Sequence, residues 1–146
     1  MQKITPFLWY DGKAEEAAKH YTSIFKNSKI ISYMGQPGQA MGVTIEIEDQ
    51  HFILFNGGPM FHFTPAVSLF VSANTQEEID ELWEKLSQDG EPERCGWVKD
   101  KYGLSWQIVP PVLSQLLQHK DRDKANRVMQ AMLGMTKLDI RALEEA

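Results

Sequence analysis

Two stretches of this chain repeat one another. Pro6-Phe7-Leu8-Trp9-Tyr10-Asp11 through Ile24 lies over Ser68-Leu69-Phe70-Val71-Ser72-Ala73 through Leu86 at a shift of 62 residues. Each stretch opens with an apolar, β-prone run and then enters a helical pattern with paired glutamates, Glu15-Glu16 in the first and Glu77-Glu78 in the second. Ala17, Tyr21 and Ile24 fall opposite Ile79, Trp83 and Leu86, a spacing that puts each set on one helical face. Thr75 with Glu78 reads as a capping box at the start of the second helix. An internal repeat limits the fold more than any single motif, because one unit must be built twice.

Three β-like runs follow each helix. In the first half they are roughly Lys29–Tyr33, Gly42–Ile47 and His51–Phe55; in the second, roughly Glu91–Cys95, Trp97–Lys101 and Leu104–Val109. The pattern is βαβββ twice, an α+β class. The expected organisation is a single domain over 1–146, with module one at about 1–60, module two at about 64–110 and a helical tail at about 112–146. Halves of this size bury little apolar surface alone, so the two are expected to share a core. Gly35-Gln36-Pro37-Gly38 is a turn, and Gly57-Gly58-Pro59 leads into the connection between the halves.

After Pro110-Pro111 the chain becomes helical and amphipathic. Val112–Gln118 is expected to be a short helix with Leu113, Leu116 and Leu117 inward. Asp121 is expected to cap a helix carrying Ala125, Val128, Met129 and Met132 and ended by Gly134, and Thr136 with Asp139 to box a last helix, Ile140–Glu145. The apolar side of this tail needs cover, either on its own domain or across an interface between two copies. The spacing of Met129, Met132 and Met135 favours packing over a ligand surface.

The 146 residues carry a formal net charge of -5, with no cluster of Lys and Arg, so nothing marks a nucleic-acid partner. No apolar run approaches membrane-spanning length, and the first residues lack the apolar stretch of a signal peptide. Cys95 is the single cysteine, which rules out an intrachain disulfide and suits a reducing compartment; the expected location is the cytoplasm.

Asn56-Gly57-Gly58-Pro59 followed by Phe61 and Phe63, and the long run Cys95-Gly96-Trp97-Val98-Lys99-Asp100-Lys101-Tyr102-Gly103-Leu104-Ser105-Trp106-Gln107-Ile108-Val109-Pro110, resemble the PhnB-like branch of the glyoxalase/bleomycin-resistance (vicinal-oxygen-chelate) superfamily. That branch often bears the label 3-demethylubiquinone-9 3-methyltransferase. Arg127-Val128-Met129-Gln130-Ala131-Met132-Leu133 in the tail is similar to it too, which extends the resemblance over nearly the whole chain. The resemblance implies paired βαβββ modules forming a curved mixed sheet around a cleft, helices against the convex face, and a homodimer.

Enzymes of that superfamily bind a divalent metal through His, Glu or Gln on four equivalent strands, leaving a position open for substrate. The resemblance puts the first-strand ligand seven residues before Asp11, at Ile4; the repeat puts its partner at Ala66; the last-strand ligand, four residues after Gly103, is Gln107; and overlaying His51–Leu54 on Ser105–Ile108 gives Ile53. Of these, Gln107 alone carries a lone pair, and a neutral amide is a weak ligand. No metal and no cofactor are expected. An alternative metal site would use His51, His62 and a carboxylate; His20, on a helix, and His119, before the Asp121 cap, are read as lying outside it.

Strand parity then defines the cleft. Gln107 brings Ser105 and Val109 to it; the same parity brings His51, Ile53 and Phe55; Ile4, Pro6 and Leu8; and Ala66, Ser68 and Phe70. Phe61, Phe63 and Trp97 are placed at its mouth, and Asn56 offers a donor and an acceptor. The expected ligand-binding set is therefore Gln107, Ser105, His51, Phe55, Asn56, Ser68, Phe61, Phe63 and Trp97, an apolar concavity with a few polar groups suited to a small molecule. The competing reading is that these side chains fill a closed core. Cys95 reads as a free structural cysteine rather than a catalytic thiol.

Three functions compete. The favoured one is a metal-free small-molecule binder. The second is a metal-dependent isomerase, lyase or dioxygenase with a non-standard site. Literal methyl transfer is disfavoured, because no GxGxxG run opens a helix and the repeat predicts the wrong topology for the α/β sheet that usually holds S-adenosylmethionine.

Overall fold

A computed structural model of the chain describes residues 2–146. It resolves into two compact units, one ending at Phe63 and the other running from Thr64 to Ala146. The first contains β1 (Phe7–Tyr10), α1 (Ala14–Ile24), β2 (Ser28–Met34), β3 (Gly42–Ile47) and β4 (Gln50–Asn56). The second contains β5 (Ser68–Ser72), α2 (Gln76–Ser87), β6 (Glu91–Pro92), β7 (Trp97–Lys99) and β8 (Ser105–Val109), followed by α3 (Pro111–Leu117), α4 (Arg122–Leu133) and α5 (Ile140–Glu145). The βαβββ pattern thus occurs twice, as the repeat required. Each unit holds a four-stranded mixed sheet, ordered β1-β4-β3-β2 and β5-β8-β7-β6, with the outer pairs β1–β4 and β5–β8 parallel and the others antiparallel.

One face of each sheet is covered by its helix. In the first unit Ala14, Ala17, Ala18 and Tyr21 of α1 are buried, and three alanines let the helix lie close to Leu8, Val43, Ile45 and Leu54 of the sheet. In the second, Ile79, Leu82 and Leu86 of α2 pack with buried Val98, Trp106 and Ile108. Removing one such aliphatic side chain from water contributes roughly 1.5–3 kcal/mol. Trp83, expected in this face, is half-buried, and Leu82 takes its place.

The strand register corrects the repeat by one residue. Phe7 pairs with Ile53 in the first sheet and Phe70 pairs with Gln107 in the second, so the leading strands superpose at a shift of 63, not 62. The helices keep the shift of 62, Lys13 and Thr75 both standing at their N-caps. The difference lies in the strand-to-helix turn of the first unit, where Gly12 adopts φ 72°. Because side chains alternate along a strand, one residue reverses every orientation. Leu8, expected in the cleft, is buried against the helix, and Phe7 and Trp9 occupy the open face with Ile53 and Phe55. Ile4 precedes β1 and is 85% exposed.

The run from Cys95 to Pro110 is organised around a buried carboxylate. Asp100 is 2% exposed, and its Oδ1 accepts from the backbone N–H groups of Tyr102 (2.9 Å) and Leu104 (3.0 Å). Its Oδ2 accepts from the Trp106 indole N–H at 2.9 Å. This turn ends β7 at Lys99, short of the expected Lys101, and ties it to β8. β6 stops at Pro92 rather than Cys95, because Cys95 (φ 59°) and Gly96 (φ 83°) leave strand geometry.

The tail folds onto the second unit. Cys95 N–H donates to the Met135 carbonyl (2.9 Å) and Gly96 N–H to that of Thr136 (2.8 Å). Gln76 of α2 donates to the Leu138 carbonyl at 3.0 Å and accepts from Ile140 N–H at 2.8 Å. Val109, Leu113, Val128, Leu138 and Leu143 form one buried cluster joining the end of β8 to all three tail helices. Asp121 caps α4 as expected, accepting from the N–H groups of Asp123 and Lys124. Met129, expected inward, is 38% exposed. The last helix is capped by Asp139 itself, whose side chain accepts from Ala142 N–H, and not by Thr136.

Asp100→Ala would remove the acceptor of three N–H donors, of which those of Leu104 and Trp106 are buried. It is expected to cost about 3 kcal/mol of stability, read from the urea midpoint. Lys137→Ala, which removes the half-exposed ion pair with Asp80 (2.8 Å), is expected to cost less than about 1 kcal/mol. Equal losses in the two variants would contradict the assignment of Asp100 as the lock of this hairpin.

Candidate functional site

The open face of the second sheet carries two cross-strand rows. Phe70, Gln107 and Trp97 stand side by side on β5, β8 and β7, and Ser68, Ser105 and Lys99 form the row beside them. Neighbouring strands lie about 4.8 Å apart, so Gln107 sits in a gap between two aromatic residues. Its Nε2 donates to the Ser68 hydroxyl at 3.0 Å. Among the described residues no hydrogen bond reaches its Oε1. Ser105, in the adjoining row, is fully buried, and its hydroxyl has no partner among the described residues.

At the end of this face the tail completes a pocket of about 400 Å³. Phe70, Trp97, Gln107 and Val109 of the sheet, with Cys95, form its floor. Leu113, Ser114, Leu117 and Gln118 of α3 and its C-cap, with Met132 of α4, form its wall. Hydrocarbon dominates, the polar groups are amides, a hydroxyl and a thiol, and among the described residues no ionisable acid or base other than Cys95 borders it. Phe70 is 60% exposed and marks the mouth. Trp97 also borders a second depression of about 300 Å³ with Pro65, Glu93 and Arg94.

Of the nine expected site residues, Ser68, Trp97, Ser105 and Gln107 lie together on this face. The wall contributed by Leu113, Ser114, Leu117, Gln118 and Met132 is not among the residues expected from the sequence to form a site. The apolar stripe of α3 is legible in the sequence, but nothing there says which surface the stripe covers.

The other five expected residues lie in the first unit. Phe55 sits in an aromatic cluster on the open face, its ring centroid 5.1 Å from Phe7 and 5.7 Å from Trp9; Phe61 packs on Trp9 at 5.0 Å. Phe63 packs on Tyr10 at 5.2 Å. His51 Nε2 meets Glu46 Oε1 at 2.9 Å, both side chains about one-fifth exposed. His62 is exposed, and among the described residues no group of three or more His, Cys, Asp or Glu side chains is arranged to hold a metal ion. Asn56, expected to meet a ligand, is committed to the fold. Its Oδ1 accepts from Ala14 N–H at 2.8 Å, capping α1 in place of Lys13, which has no capping side chain, and its Nδ2 donates to the Ala40 carbonyl at 3.3 Å. Gly57 beside it lies flat under Trp9, where an added Cβ would fall 2.2 Å from the indole, and the indole N–H donates to the Gly58 carbonyl at 2.9 Å. The loop over α1 is held by Glu15, whose carboxylate accepts from Ala40 and Gly38 N–H at 2.7 and 2.8 Å; these two bonds, Ala40's first, lower its pKa.

The metal positions implied by the superfamily do not suit a cation. With the corrected register, Ile4 corresponds to Val67 rather than Ala66, and Val67 is no better a ligand. Ile4, Ile53 and Val67 are hydrocarbon, and Gln107 supplies one neutral amide.

The family model described as 3-demethylubiquinone-9 3-methyltransferase matches residues 2–109. The tail, with its resemblance at Arg127–Leu133, lies beyond that match. The structure is similar to that of the PhnB protein from Bacillus cereus, at 41% identity and TM-score 0.67, covering 75% of this chain and 99% of that one. The fold is also that of the fosfomycin resistance protein FosX from Mesorhizobium loti, at 12% identity and TM-score 0.58, covering 82% of this chain and 100% of that one. A mutant of FosX from Listeria monocytogenes, complexed with Mn(II) and 1S,2S-dihydroxypropylphosphonic acid, matches at 16% identity and TM-score 0.56, covering 81% of this chain and 100% of that one. Nothing among the curated proteins matches. Both the sequence match and the twice-built βαβββ unit place the chain in the PhnB-like 3-demethylubiquinone-9 3-methyltransferase family, of glyoxalase/bleomycin-resistance fold.

Proposed function

We propose that this protein binds a small, largely apolar molecule in the pocket of its second unit, without the divalent metal used elsewhere in the superfamily. The observation that carries the reading is the Phe70–Gln107–Trp97 row closed at one end by the tail helices. A volume of about 400 Å³ falls in the usual range for small-molecule sites, and hydrocarbon walls with a few placed polar groups are their usual lining. The donor set argues against borrowing FosX chemistry: the Listeria protein is complexed with Mn(II), whereas three of the four positions implied for a metal here are hydrocarbon. The family's methyltransferase description finds no support in the topology either, since each sheet is a four-stranded mixed βαβββ unit and no glycine-rich run leads a strand into a helix.

Filling the pocket tests the reading. The uncharged fluorescent probe N-phenyl-1-naphthylamine is expected to bind the wild type at one site per chain. Leu117→Trp, placing an indole in the pocket, should weaken binding about tenfold or more, whereas Leu133→Trp, at an exposed tail position outside it, should not. Unchanged binding by Leu117→Trp would refute the site.

A second expectation concerns the metal. A cation that binds only the folded state raises its melting temperature. Excess Mn(II), Ni(II) or Zn(II) is expected to leave the thermal midpoint of chelator-treated protein unchanged, and a saturable rise with any of them would contradict the metal-free reading.

A further inference from the structure

We propose that α3, α4 and α5 open from the second unit as one piece while its sheet stays folded, and that a molecule in the pocket holds them shut. The tail thereby reports whether the pocket is filled. This rests on the small-molecule reading above and adds a consequence of occupancy to it.

The tail is built around itself. Its three helices pack chiefly on one another rather than on α2 or the strands. The apolar cluster that holds them runs from Leu113 to Ala146, and Val109 at the end of β8 is its one member from the sheet. Polar ties to the unit run through Cys95, Gly96 and Gln76, and through the half-exposed pair of Lys137 with Asp80. Where the tail faces Phe70, Trp97 and Gln107, the pocket of about 400 Å³ separates the two. Side chains that border a hollow lack partner atoms on that side, so this part of the interface adds little to docking.

Size decides which part opens. Helices of 7, 12 and 6 residues are too short to persist alone, and a segment this small cannot sustain a core by itself. Opening therefore melts them. The βαβββ units do not depend on the tail: the family model ends at residue 109, and 75% of this chain spans 99% of the Bacillus cereus protein. Such a segment opens locally, at a lower free energy than the sheet beneath it.

The coupling follows from where the pocket lies. A molecule there touches the sheet on one side and Leu113, Leu117 and Met132 on the other, and so joins the two across the gap. With the tail open the pocket has no wall, so the molecule binds the closed state alone. Opening is then suppressed by the factor 1 + [L]/Kd.

Residue-resolved amide exchange on the full chain, with and without N-phenyl-1-naphthylamine, tests both halves of the proposal. In the free chain the amides of α4, Cys95 and Gly96 are expected to exchange through one opening, about tenfold or more faster than those of β8. Ile79→Val, which trims the core beneath α2, should speed the β8 amides about fivefold and leave the tail set unchanged. Equal rates in the free chain, or a variant that speeds both sets alike, would show that tail and sheet open together and would overturn the proposal while leaving the pocket in place. At ten times its Kd the probe is expected to slow the tail set about tenfold. A probe that binds by fluorescence yet leaves the tail set unslowed would overturn the hold on the tail. Absence of probe binding would overturn the small-molecule reading and the hold with it.

Discussion

The site depends on two backbone hydrogen bonds, from Cys95 to Met135 and from Gly96 to Thr136. They form because both residues adopt positive φ, which turns their successive N–H groups toward the tail. A non-glycine residue in this conformation costs roughly 1–2 kcal/mol, so Cys95 is strained and the tail contacts must offset it. Gly96 has no alternative: an added Cβ would lie 2.9 Å from the Ile108 carbonyl and 3.0 Å from Leu138. From this anchor the tail runs past α2, where Gln76 holds it on both sides of Asp139, and its apolar cluster closes over the end of β8. The pocket is the space left between that cluster and the open face of the sheet.

Such a division of labour suits a family whose fold is shared widely. The matched residues 2–109 supply two βαβββ units and the floor of the pocket, whereas its wall comes from residues beyond the match. The Bacillus cereus protein is spanned almost completely by three-quarters of this chain, which leaves a quarter over here. The shape of the pocket is accordingly set as much by Leu113, Leu117 and Met132 as by the sheet. The aromatic cluster of Phe7, Trp9, Phe55 and Phe61 on the first sheet has no such wall among the described residues of its own unit.

Much of the architecture is legible in the residues. The helix faces, the capping of α2 by Thr75 and of α4 by Asp121, and the bounds of β3 follow from periodicity and local hydrogen-bonding chemistry, which act over a few residues and leave a readable trace. The one-residue offset between leading strands leaves none, because a turn closed by Gly12 absorbs it, and the orientation expected of Leu8 is inverted as a result. Asn56 departs from expectation for a related reason. Its amide satisfies the start of α1, a helix 42 positions away in sequence, and no local pattern signals a cap lent by a neighbouring strand. The long run from Cys95 to Pro110 is specific in sequence, yet much of that specificity is architectural: Asp100 and Trp106 lock the hairpin and Gly96 admits the tail. Within it, Cys95, Trp97, Gln107 and Val109 line the pocket.

The pocket exists only if the tail is docked where these contacts put it. Residue-resolved amide hydrogen exchange of the full chain measures this directly at Cys95 and Gly96, which precede β7 and whose acceptors are Met135 and Thr136. Protection well above that of open chain is predicted. Exchange at the rate of open chain at both positions would mean that the tail is not bound there, and the pocket would lose its wall.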